Sequence, residues 1–254
     1  MSDRGQETLA TGFPVNQQIS GFCIYLHIWV FISFGSGIKN IKCQISQTNM
    51  EKKTARLEAF SDGIFSVAIT LLALEIGIKE YEGANNANLW RKIIQDWPEY
   101  FTYFNSFATV LLIWMGHRKI FDKIWKANHW IVLLNGLVLL FVVLFPFPTK
   151  TVGAFIGTQA VNTAVAFYAG FTGLIVVCML LLNLGIINNT KIILNADKNL
   201  PWFKNQIKQQ LMAILVYAIA AFVAFYSPAI ALSITFLMWV FWAFATKDTN
   251  DEDE

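Results

Sequence analysis

Long apolar runs separated by short polar stretches set the pattern of this chain. A helix needs about 20 apolar residues to cross about 30 Å of hydrocarbon. Residues 60–78, FSDGIFSVAITLLALEIGI, make the first such run. Residues 99–116 (EYFTYFNSFATVLLIWMG) make the second, 129–149 (HWIVLLNGLVLLFVVLFPFPT) the third and 160–187 the fourth. Residues 209–226 and 229–246 supply the last two, divided at Ser227-Pro228, because proline interrupts a helix. The runs are too long for membrane strands and do not alternate with period two. The pattern predicts an all-α membrane protein with six transmembrane helices per subunit.

Composition points the same way. Of 254 residues, 56% are hydrophobic and 14% charged, with 22 Phe, nine Trp and a mean hydropathy of +0.49. A soluble domain carries about 25% charged residues. The net charge of +2 excludes the concentrated basic face of a nucleic-acid binder. Cys23, Cys43 and Cys178, like His27, His117 and His129, are too scattered for a disulfide framework or a metal site. No nucleophile–base or phosphate-loop spacing occurs, so the chain is not read as an enzyme and no cofactor is expected. Thr151-Val152-Gly153 matches the start of a TVGYG carbonyl filter. It lacks the Tyr and the second Gly, and is read as part of a short loop, hence as coincidence. Gly153 and Gly157 form a small-xxx-small pair that lets two helices approach.

Basic residues set the orientation. The lead-in to the first span (Lys52, Lys53, Arg56) and the second and fourth connections carry eleven Lys and Arg; the first and third connections carry four. The basic side is therefore expected to be cytoplasmic, with both ends of the six-helix core inside a cell membrane. Residues 247–254 read as an acidic, solvated tail. Residues 1–49 fit none of this. Their apolar stretch, 21–34, is short for a span and reads as a poor signal peptide, as a seventh helix, or as upstream sequence before a start at Met50. The lead-in EKKTARLEAFSDG after Met50 favours the last, so residues 1–49 are an uncertain N-terminal segment and 50–246 the six-helix unit.

Ionisable groups within spans are functional candidates by default. At about 100° per residue, Asp62, Ser66 and Thr70 share one side of the first span; Val67, Leu71, Leu74 and Ile78 share a neighbouring side. Glu75 lies near its outer end. Trp114 and His117 are three apart on the second span, and Asn135 sits among leucines on the third, where its amide needs a partner. One reading of this polar set is a fastening network, with Asp62 held by Arg56 or His117 and with Ser61 and Asn135 completing it. The other is a proton relay or ion ligand. The Leu side is, from its residues alone, lipid-facing or core packing.

The run Arg56-Leu57-Glu58-Ala59-Phe60-Ser61-Asp62, continuing GIFSVAITLLALEI, resembles the prokaryotic members of the transmembrane protein 175 family of potassium channels. Trp114-Met115-Gly116-His117 with Phe121, and Leu134-Asn135 before LFPFPT, resemble further segments of that family, with a departure at Arg118, where many relatives carry a second His. The resemblance covers about residues 50–246. It implies a homotetramer in the lipid bilayer, with the first helices around a central pore for K+. It implies a narrow part built from Val67, Leu71 and Leu74, with Thr70 contributing to selectivity. Arg56, Phe60, Ser61, Asp62, Trp114, His117 and Asn135 would form the polar network behind the pore helix, and Glu75 would sit at the outer mouth. A ring of branched apolar side chains can close a pore by dewetting. The resemblance thus turns the Leu side toward the axis, where the residues alone would turn the polar side. A proton-coupled secondary transporter is the alternative function. A non-conducting scaffold is a third, disfavoured by the short loops.

Overall fold

The third apolar run is not one continuous helix. In the computed structural model, which describes residues 52–74, 76 and 86–245, it divides into α4 (His129–Val143) and α5 (Pro146–Phe155). Pro146 and Pro148 have no N–H to continue the ladder. Phe145 N instead donates to Val142 O, and Phe147 N to Leu144 O. α5 then runs past the expected end, so Lys150 and Thr151-Val152-Gly153 lie on a helix rather than in a loop. Helical carbonyls are taken up along their own axis, which removes any likeness to a carbonyl filter.

The other elements are α1 (Ala55–Leu74), α2 (Asn86–Gln95), α3 (Trp97–Asp122), α6 (Val161–Ile187), a 3₁₀ turn (Thr190–Ile192), α7 (Ala196–Val223) and α8 (Pro228–Ala245). Several ends move from their expected places. α1 begins at Ala55, before the apolar run, since Arg56, Leu57 and Glu58 are good helix formers. α3 starts with Pro98 in its first turn and runs through His117 to Asp122. α7 starts at Ala196, so Lys198, Lys204 and Lys208 lie on the helix and not in a connection. α2 is a helix where the sequence pattern shows only a connection. Asn128 caps α4 by accepting a hydrogen bond from Ile131 N at 2.9 Å.

Every α-element is a helix, and among the described residues the only β pairing is an isolated bridge between Ile124 and Ile193. By length and composition, α1, the α4–α5 stretch, α6 and α7 can each cross a membrane. α8 is apolar but shorter. α3 is about 39 Å long at 1.5 Å per residue, with its charged residues gathered toward its ends. α6 is apolar on all sides and is the most buried helix, packed against α4, α5, α7 and α8. A Cβ placed on its Gly185 would stand 2.7 Å from Leu134 Cδ1, so α4 and α6 meet where no side chain fits. Gly153 of α5 lies against α3, where a Cβ would be 3.5 Å from Glu99 Cγ.

α1 packs on α3, α4 and α5 through one narrow face: Ser61, Phe65, Ala68 and Leu72. Its first turn is tied down by backbone. Lys53 N donates to Trp125 O at 3.0 Å, Trp125 N to Ile192 O at 3.1 Å, and Leu194 N to Lys123 O at 2.9 Å. Lys52 adds an ion pair to Asp122 at 3.1 Å. Three chain segments are thereby stitched together at this end of the bundle.

Candidate functional site

The buried face of α1 carries one polar residue, Ser61, and it is the end of a chain of hydrogen bonds across three helices. Ser61 Oγ donates to Leu57 O at 2.8 Å within α1 and accepts from Asn135 Nδ2 of α4 at 3.0 Å. Asn135 Oδ1 lies 2.6 Å from His117 Nε2 of α3. With the hydroxyl proton committed to Leu57 and the Asn amide donating to Ser61, Oδ1 is the acceptor and His117 Nε2 carries the proton. All three side chains are buried, so each bond forms where no water competes. The His117 ring is held between Phe121, stacked at 4.7 Å between centroids, and Phe65 at 5.2 Å.

Asp62 takes a different partner from those expected. Trp114 Nε1 donates to Asp62 Oδ1 at 2.8 Å, which ties α3 to α1 a second time. Arg56 does not hold Asp62, because six residues of helix place the two about 120° apart around its axis. Among the described residues Arg56 pairs with no carboxylate; its side chain and that of Phe60 are exposed. Neither residue bonds to the seam among the described residues. Arg118 stacks on the far side of the site, with its guanidinium 5.7 Å from the Trp114 ring.

The opposite side of α1 has no cover among the described residues. Val67 is 53% exposed, Leu71 36% and Leu74 78%. Thr70 is exposed beside them and donates its hydroxyl to Val67 O at 2.8 Å, which leaves its oxygen lone pairs facing outward. Ser66 and Asp62 are exposed too, so the polar and apolar sides are both uncovered. Glu75 and Ile78 lie outside the described residues, as do residues 1–49 and 247–254. The site is thus a helix fixed along one edge by a polar seam and bare along the other.

Two further polar groups inside the bundle have no counterpart in the sequence-based expectations. Asn105 Nδ2 donates to Tyr168 OH at 3.0 Å; Ser106 Oγ lies 3.2 Å from the same oxygen and 2.9 Å from Thr149 Oγ1. On α6 and α7, Asn183 Nδ2 donates to Gln210 Oε1 at 3.0 Å. Their signal in the sequence is helical spacing: Asn105 and Thr109, and Gln206 and Gln210, are each four apart and so share a face.

Residues 56–146 match the family described as the endosomal/lysosomal potassium channel TMEM175. This stretch contains every residue of the polar seam. Over 120 residues the chain is 36% identical to a potassium channel of Chamaesiphon minutus, across 47% of this chain and 59% of that relative. It is also 36% identical over 106 residues to the endosomal/lysosomal proton channel TMEM175 of Homo sapiens, across 39% of this chain and 21% of that one. The chain therefore spans less than two thirds of the length of either relative. The crystal structure of a lysosomal potassium-selective channel TMEM175 homolog from Chamaesiphon minutus superposes with a TM-score of 0.69 at 28% identity, over 77% of this chain and 98% of that one.

Proposed function

Because the chain belongs to the transmembrane protein 175 family, whose members and structural neighbours are ion channels and not enzymes, we propose that it forms a passive potassium-permeable pore. The pore unit is residues 50–246, in which α1, α3, α4–α5, α6, α7 and α8 make six spans in a cell membrane. Both ends of that unit face the cytoplasm, on the charge count given above. Four copies surround the pore with α1 at the axis.

One observation carries this reading: α1 is locked to its own subunit on one face and bare on the other. The bare face presents Val67, Leu71 and Leu74 at helical spacing, with the lone pairs of Thr70 between them. Four such faces meeting on an axis enclose an apolar constriction. A cation passes it only by shedding water, or when the passage widens and wets. The seam of Ser61, Asn135 and His117, with Trp114 on Asp62, then sets the angle at which α1 meets the axis. Glu75, near the outer end, raises the local cation concentration by its charge.

Purified protein in liposomes with a potassium gradient tests this. A channel gives potassium flux without a co-substrate, and Leu71→Ala raises it by widening the constriction. Flux that requires a proton gradient favours the proton-coupled transporter instead. Absence of flux, or flux indifferent to Leu71→Ala and Val67→Ala together, refutes the proposal.

A further inference from the structure

Away from α1, a cavity of about 50 Å³ lies within the subunit between α3, α6, α7 and α8. Thr109 and Gly116 of α3, Val176 of α6, Gln206 and Gln210 of α7 and Trp239 of α8 are among its walls, and none of its lining residues is charged. Both glutamines are at least nine-tenths buried, at 9% and 3% exposed. Gln210 Oε1 is engaged by Asn183, which fixes the direction of the amide. Its Nε2 meets no protein acceptor among the described residues, and the amide of Gln206 has no protein partner there either. Each amide nitrogen carries two donors, and buried donors need acceptors. The opposite walls, Ile113, Val176 and Met179, offer only apolar surface.

We propose that this cavity is a binding site for a small uncharged molecule bearing a hydroxyl group, of the class of short-chain alcohols. The hydroxyl oxygen accepts from Gln210 Nε2 and its proton goes to Gln206 Oε1. The alkyl part lies on Val176 and Met179. A charged ligand finds no counter-charge in the walls and loses its hydration on entry. Size is set by volume: one water needs about 10–15 Å³ of such space, so the cavity admits about three to five non-hydrogen atoms. Occupancy acts on α3, whose Thr109, Ile113 and Gly116 face the cavity while Trp114 and His117, about 100° further round, hold α1. The ligand therefore biases the tilt of α1; this last step rests on α1 lining the pore.

The probe is 2-bromoethanol, which has four non-hydrogen atoms and an anomalous scatterer. Crystals of the full chain soaked in it are expected to show one bromine peak in the cavity. Gly116→Leu, which fills the space from α3, and Val176→Phe, which fills it from α6, are each expected to abolish the peak. No peak in the unaltered protein, or a peak that survives in both variants, overturns the site. In liposomes the compound is expected to change potassium flux at least twofold in the unaltered protein and not in Gly116→Leu. Equal response in both overturns the coupling to α1. A bromine peak in a protein with no flux under any condition sustains the site and refutes the channel reading alone.

Discussion

Replacing Asn135 by leucine and His117 by phenylalanine, singly and together, isolates the bond that joins α3 to α4 behind α1. Asn135→Leu keeps the volume but removes the acceptor 2.6 Å from His117 Nε2 and the donor to Ser61. It strands one buried N–H, which costs about 1–3 kcal/mol. Ser61 is spared, because its own proton stays with Leu57 O. His117→Phe keeps the ring between Phe65 and Phe121 but leaves Asn135 Oδ1 without a donor, at a similar cost. With both changes neither stranded group of the pair remains, so the double variant is expected to lose less than the two single losses combined. Interhelical hydrogen bonds in membrane proteins couple by about 0.6 kcal/mol on average and about 1.7 at most. A 2.6 Å bond between fully buried groups belongs at the upper end of that range, so the cycle is expected to give a coupling of about 1–1.7 kcal/mol. Equilibrium unfolding in mixed detergent, followed by far-ultraviolet circular dichroism, measures all four proteins. Strict additivity, with the double variant as weak as the two losses combined, refutes the argument.

Two other outcomes follow from the packing. Gly185→Val drives a side chain into Leu134 Cδ1, 2.7 Å from where a Cβ would stand, and is expected to lower stability by about 1–3 kcal/mol, with Leu134→Ala in the same chain restoring part of it in the same unfolding measurement. Trp114→Phe removes the donor to Asp62 while keeping an aromatic face for Arg118; it is expected to cost less than about 1.7 kcal/mol yet to alter potassium flux in liposomes, because it removes the side-chain hydrogen bond that joins α1 directly to α3.

The apolar helices are legible in the sequence because hydrophobic length is a direct physical requirement of the bilayer, and four of those described are long and apolar enough to cross one. Helix ends are less so: α1, α3 and α7 run beyond their apolar runs into polar residues, which an apolar pattern cannot mark. The need of Asn135 for a partner is also legible, since an amide among leucines cannot stay unpaired. The partner of Asp62 is not. A neighbour along the same helix, Arg56, is the simpler guess, but helix rotation separates the two, and a tryptophan 52 residues away takes the place. The chain likewise does not mark one side of α1 as the exposed one, because Ser66 and Thr70 are as uncovered as Val67 and Leu71. The Asn105–Tyr168 and Asn183–Gln210 pairs join residues 63 and 27 positions apart, a pairing that only the packing of helices creates.

The backbone stitching at Lys53, Trp125 and Ile192 makes α1 a cantilever. Its root is clamped to two other chain segments, while at the far end Leu72 is buried and Leu74 is 78% exposed. A small angular swing about the root grows with lever length, so Ser61 barely shifts while Leu74, 13 residues and about 20 Å further along, moves most. Any such swing is limited by the packing of Leu72, so the two ends of α1 are held by different means: backbone bonds at one and a single apolar contact face at the other.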